Sequence, residues 1–407
     1  MLRPEHTSQP STADAARRAA ELKRQNDWKA LARLAAELPA DWDREWLPVA
    51  DAVAFALGQL GEFVAARAIL LRAYEIEADH GRASALAYLH YDALLRHKNR
   101  RPRLPDPESY RKGFERWITE ALRHRPDSVV DRYRLGVYLS SIQTRKDVPA
   151  LAAFRDAIRL FERLPAEQRR SHRHWKTYIR ALYAAARSAY RLGRFVEARR
   201  YVFRCIRLDR ERHHQKPVFK LFLAAKVLVA EGRLDDAKRA LRLAVDAPHD
   251  GARDFVYALL AEVALAQGRL DDAAGWIELN VPAHLRKSYV WRLLGDIEAR
   301  RGRPDRALKL YKSSLLKDHC GRHKTLLRIG KLHHDAGRLA DARRAYEQAA
   351  DFRRRRYLSE DAEALQALAT VCEAQNDLDG ARRAYGRMAR LPNLAERAER
   401  ELARLAG

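Results

Sequence analysis

Apolar residues recur at intervals of three and four along almost the whole chain, the spacing that keeps one face of an α-helix against a core. No alternation of the strand type runs long enough to place a sheet. A phrase returns within this helical pattern: AEGRLDDAKRALRLAVDAP at 230–248 is followed by AQGRLDDAAGWIELNVP at 266–282. Related phrases start at Leu60, Leu192, Arg301, Ala336 and Gln375. The turn residues Gly193, Gly232, Gly268, Gly302, Gly337 and Asn376 follow one another at 39, 36, 34, 35 and 39 residues. A period in the mid-thirties marks a repeated supersecondary unit.

Residue types say what the unit is. Each turn residue is followed five positions later by alanine, at Ala66, Ala198, Ala237, Ala273, Ala307, Ala342 and Ala381. Glycine takes the left-handed conformation that ends a helix, and asparagine is its usual substitute. A second small residue stands about seven positions earlier, as Gly295 before Gly302 and Gly330 before Gly337. The unit is therefore helix, tight turn, helix, with small residues where the two helices approach.

The copy starting at Ser288 carries Trp291, Leu294 and Gly295, then Gly302, then Ala307, Tyr311 and Ser314. The next gives Leu326, Ile329, Gly330, Gly337, Ala342, Tyr346 and Ala349, and the last Leu365, Leu368, Ala369, Asn376, Ala381, Tyr385 and Met388. These resemble tetratricopeptide repeats (TPRs), a family that prefers alanine where Ser314 stands. The resemblance implies an all-α, right-handed superhelical solenoid of about ten TPR-like helix–turn–helix repeats, each packed on its neighbours. On this reading residues 1–12 are a disordered lead and 13–45 N-terminal capping helices. Residues 46–126 are degenerate repeats holding a basic, proline-rich insert at 96–107, 127–210 are basic repeats, 211–392 regular repeats, and 393–407 a C-terminal capping helix.

Charge changes the picture. The 407 residues carry a formal net charge of +25, unevenly spread. Residues 81–216 hold 33 Lys and Arg against 14 Asp and Glu, whereas 1–80 hold 10 against 13 and 217–407 hold 36 against 27. Such a block attracts acidic protein, nucleic acid or anionic lipid; the plain alternative is a set of solvated Arg-rich helix faces. The three cysteines, Cys205, Cys320 and Cys372, are far apart and match no zinc spacing, which favours a reducing compartment. Without a signal-peptide core or an apolar run of membrane-span length, the expectation is a soluble, cytoplasmic protein.

A search for catalytic constellations finds no phosphate loop, nucleophile elbow, zinc-protease helix or kinase signature, so the expectation is a non-enzyme with no cofactor. Asp235/Asp236 and Asp271/Asp272 directly follow turn glycines, where carboxylates cap the next helix and favour its dipole. His319, Cys320 and His323 cluster at a turn between repeats, but His-Cys-x-x-His is no common zinc spacing, and no metal site is assigned.

In TPR arrays the first helix of each pair lines a concave groove. The resemblance places Tyr133, Arg180, Tyr183, Arg187, Tyr190, Phe219, Phe222, Lys226, Phe255, Tyr289, Arg292, Lys324 and Lys331 at groove positions. An aromatic and basic groove suits an acidic peptide or protein with large apolar anchors. The implied function is a scaffold or adaptor for protein–protein interaction. RNA or single-stranded nucleic acid is the competing partner, with Arg96, Lys98, Arg100, Arg101 and Arg103 of the insert as phosphate or acidic-surface contacts. A peptide-sensing regulator or secretion chaperone is a third reading, weakened because no N-terminal DNA-binding helix-turn-helix is found.

Overall fold

The computed structural model describes residues 11–99, 104–143 and 146–406, which are all-helical, without a strand among them. Contacts divide the chain into two compact units, one ending at Val227 and the other beginning at Leu228.

The first unit opens with α1 (Thr12–Gln25) and α2 (Trp28–Arg33). Helix pairs follow: α3 (Leu47–Leu60) with α4 (Phe63–Ile76), α5 (His80–Lys98) with α6 (Pro107–His124), and α7 (Val129–Val137) with α8 (Asp147–Arg163). A short α9 (Ala166–Arg170) leads to α10 (His172–Arg191) with α11 (Phe195–Leu208), and α12 (Pro217–Ala230) runs across the division. The second unit continues with α13 (Leu234–Asp246), α14 (Asp254–Ala266) with α15 (Leu270–Glu278), and α16 (Ser288–Arg300) with α17 (Pro304–Lys317). It closes with α18 (Arg322–Asp335) and α19 (Leu339–Tyr357), α20 (Ala362–Ala374) and α21 (Leu378–Met388), and α22 (Ala395–Arg404).

The turns explain the returning phrase. Gly302 has φ 73° and Asn376 φ 61°, both left-handed. The amide of the following residue reaches back over the turn, Arg303 N to Glu298 O at 2.9 Å and Asp377 N to Cys372 O at 2.9 Å. These bonds satisfy carbonyls that the helix end leaves open. Alanine five residues on is fully buried in each copy, and at Gly295 and Gly330 the small residue before the turn receives a ring. A Cβ at Gly330 would stand 2.5 Å from Tyr346 Cε1, and one at Gly136 would stand 2.5 Å from Phe154 Cε1. The aromatic thus fills the space within its own pair. The α7/α8 pair is built the same way although it lacks a turn glycine; α7 instead widens into a π-helical turn over Tyr138–Ile142.

Several expectations need correction. Residues 1–10 lie outside the described residues, but Ser11 caps α1, its Oγ accepting from Asp14 N, and Thr12 is already helical. The insert does not begin at 96, because α5 continues to Lys98. The paired aspartates do not cap their helices. Asp236 instead pairs with Arg233 at 2.5 Å and Asp271 with Arg301 at 2.5 Å, as expected where Arg outnumbers other partners. His323 is no linker residue: it is buried on α18, its ring stacked 6.1 Å from Phe352.

Candidate binding groove

Within the first unit the expected groove positions fall on α7, α10 and α12, and α5 adjoins α7 beside them. A buried knot fixes α5 against α7. Asp131, wholly enclosed, accepts from Ser84 Oγ at 2.8 Å, Ser128 Oγ at 2.6 Å and Arg134 Nη1 at 2.9 Å, and lies 2.9 Å from His80 Nε2. Burial alone would raise its carboxyl pKa, but Arg134 and the two serines hold it below the ordinary value. Arg134, oriented by this knot, places its guanidinium 4.8 Å from the ring centre of Tyr88.

Beside this knot stand Tyr91 of α5 and Tyr133 of α7, each packed on a ring of a second helix, Phe114 at 6.1 Å and Phe154 at 6.0 Å. Burial pushes both phenols up, so they remain neutral hydroxyls at physiological pH, although Arg180 of α10 opposes the shift in each. Tyr183 is raised in the same way, with Arg187 and Arg191 among the opposing charges. Arg180 is exposed and has no hydrogen bond or ion pair among the described residues.

Cations crowd the far end of this patch. Lys98 donates to Ser141 O, Arg187 Nη2 to Ser141 Oγ at 3.2 Å, and Arg191 Nη1 to Ser140 O at 3.4 Å. Burial, then Arg187 and Arg191, lower the Lys98 pKa. Only Asp147, 3.4 Å from Arg191, answers these charges with an ion pair among the described residues. Three cations so placed repel one another and favour an incoming anion.

The remaining positions differ in availability. Tyr190 packs on Phe195 at 5.8 Å and carries Lys226 Nζ 4.7 Å over its ring, with Phe219 and Phe222 half-buried on the same α12. In the second unit, Phe255 is half-buried beside His249 at 6.2 Å, and Lys324 and Lys331 are exposed on α18. Tyr289 donates its hydroxyl to Asp254, and Arg292 sits half-buried within 3.5 Å of Asp318 and 3.4 Å of Thr325 Oγ1. Tyr289 and Arg292 are thus already engaged within their own unit. Arg96 departs furthest from expectation: it pairs with Asp92 at 2.9 Å, donates to Gln59 O at 3.1 Å and covers the Phe63 ring at 5.5 Å. Its helical placement commits it to packing; Arg100, Arg101 and Arg103 lie outside the described residues.

Sequence reasoning missed Tyr88, Tyr91 and Arg191. The proline-rich insert obscures the pairing of α5 with α6, so the groove register did not extend to α5. Tyr88 and Tyr91, three residues apart on one face of α5, are the signal that could have extended it.

Residues 209–334 match the model of the tetratricopeptide repeat-like domain. That segment is TPR-like. No curated protein matches the chain. Among solved structures, yeast Tom70 is similar over 97% of this chain and 95% of its own, at 14% identity and a TM-score of 0.45. Cut9 with Hcn1, from the APC/C hetero-tetramer, is similar over 98% of this chain and 84% of its own, at 16% identity and a TM-score of 0.43. PilF of Pseudomonas aeruginosa is similar over 58% of this chain and 92% of its own, at 15% identity and a TM-score of 0.40. The TPR-like segment takes in α12 to α17 and most of α18. No helix among the described residues is long and apolar enough to cross a membrane.

Proposed function

We propose that this chain is a non-catalytic scaffold that holds an acidic peptide or protein segment along α5, α7 and α10. The observation that carries the reading is the juxtaposition of neutral, half-buried Tyr91, Tyr133 and Tyr183 with Arg180, Arg187 and Lys98. Guanidinium forks bind carboxylates in two-point geometry, and tyrosines supply contact area at small entropic cost. A TPR-like segment in the same chain supports a protein as the partner.

The test uses fluorescein-labelled peptides rich in Glu and Asp with Phe or Leu anchors, read by anisotropy, with labelled single-stranded RNA alongside. The scaffold reading expects an anchored acidic peptide to bind, and Arg180→Glu/Arg187→Glu to abolish binding while circular dichroism stays native. Binding untouched by the double reversal, or tight binding of RNA alone, overturns it.

A further inference from the structure

A second basic site lies apart from the groove and shares no residue with it. Where α8 ends, α9 and the start of α10 meet the end of α11 around a cavity of about 640 Å³. That is the size of a small-molecule site. Six arginines line it: Arg169 and Arg170 from α9, Arg204 and Arg207 from α11, and Arg210 and Arg212 from the loop that follows. Two carboxylates, Glu162 and Glu211, also line it. Glu162 is already neutralised, lying 2.6 Å from Arg204 and accepting from Tyr178 OH at 3.2 Å. The five arginines other than Arg204 make no side-chain hydrogen bond or ion pair among the described residues.

The remaining wall is aromatic. Phe161 and Tyr178 stack at 4.1 Å, and the half-buried Trp175 stands 5.8 Å from Phe161 and 5.9 Å from Tyr178. The loop bearing Arg210 and Arg212 is held in place from below. Asp209, fully buried, accepts from His214 N at 2.9 Å and Gln215 N at 3.0 Å, and pairs with buried Lys220 at 2.8 Å. A buried ion pair tying down an Arg-bearing loop gives preorganised charge.

We infer that this cavity binds a phosphate-rich small molecule, its phosphates among the unpaired arginines and any ring on the Trp175 wall. Arginine forks match phosphate oxygens in pairs, and carboxylate ligands would need several separate groups to satisfy as many cations. A nucleoside triphosphate and inorganic polyphosphate share this chemistry.

The full chain is titrated with ATP, tripolyphosphate and adenosine at physiological ionic strength, by calorimetry and by tryptophan emission compared with Trp175→Phe. ATP or tripolyphosphate is expected to bind, and adenosine not. Arg207→Glu/Arg210→Glu weakens binding by about tenfold or more, since each lost charge-assisted bond is worth roughly a factor of ten. Lys309→Glu/Lys312→Glu, exposed on α17 and changing net charge equally, leaves it intact. Tighter binding of ATP with a Trp175-dependent emission change assigns a nucleotide; equal affinity for tripolyphosphate without that change assigns inorganic polyphosphate. Failure of both anions to bind the native protein, or equal losses in the two charge-reversed proteins, overturns the assignment. Since these arginines lie outside the groove, either result is independent of peptide binding.

Discussion

The ring of Tyr311 rests on the α-carbon of Gly295, so close that a Cβ there would stand 2.5 Å from Tyr311 Cδ1. Tyr311 cannot swing away freely, because its hydroxyl donates to Asp296 at 2.8 Å and Asp296 in turn accepts from Arg328 Nε at 2.6 Å. Gly295→Ala gains about 1 kcal/mol of helix propensity but meets an overpacking cost of about 1–3 kcal/mol. The expected result is a net loss of about 1 kcal/mol, seen as a lower urea midpoint. Gly386→Ala, on α21 with no atom near its Cβ position, is the control and should raise the midpoint slightly.

His90 gives the fold a dependence on acid. It is buried, its ring against Gly113, and burial followed by Arg67 lowers its pKa to about 4. Unfolded, it takes up a proton near the ordinary value of about 6.5. Its depressed pKa therefore contributes stability that is present above pH of about 6.5 and is lost as pH falls toward 4. The linkage amounts to about 3 kcal/mol. Urea midpoints from pH 7 to pH 4 should fall less steeply in His90→Phe than in the native protein; identical slopes would remove His90 as the cause.

Asp209 and Lys220 form a buried pair, and removing one partner strands the other. Lys220→Met should cost about 3–5 kcal/mol, whereas the double replacement Asp209→Asn/Lys220→Met should recover part of that loss. Hydrogen exchange at His214 and Gln215, whose amides Asp209 accepts, reports whether the loop loosens as expected. Unchanged exchange in Lys220→Met would show that the loop holds without the pair.

Asp131 joins α5 to α7 behind the groove. Its carboxylate is stabilised by Arg134, Ser128 and Ser84 against the opposing effect of burial, so the folded pKa lies below the unfolded one. The resulting stability is present above about pH 4, the ordinary carboxylate value, and disappears as pH drops through the lower folded value. Asp131→Ala should therefore destabilise at neutral pH by about 3 kcal/mol or more, since it leaves Arg134 buried without its partner. It should also weaken the anchored acidic peptide by misplacing Arg134 and Tyr88. Native peptide affinity in a destabilised Asp131→Ala protein would separate the knot from the groove.

Periodicity and turn chemistry alone determined the all-helical pairs, their turn glycines and the buried alanines, because each depends on residues within a few positions of one another. Gly330 and Tyr346 were legible for the same reason: both belong to one repeat. Whether an arginine is spent or available was not legible, since that is decided by neighbours far along the chain. Asp92, four residues before Arg96, is a local partner that Arg180 lacks, but Gln59 O and Phe63, which also hold Arg96, come from more than thirty residues away, while Arg180 stays exposed. Only tertiary packing brings Arg169 and Arg170 of α9 to Arg207 and Arg210 near the end of α11, across almost forty residues of chain. Charge acts through space, and the helix ends that gather these side chains are fixed by the packing of the pairs that carry them.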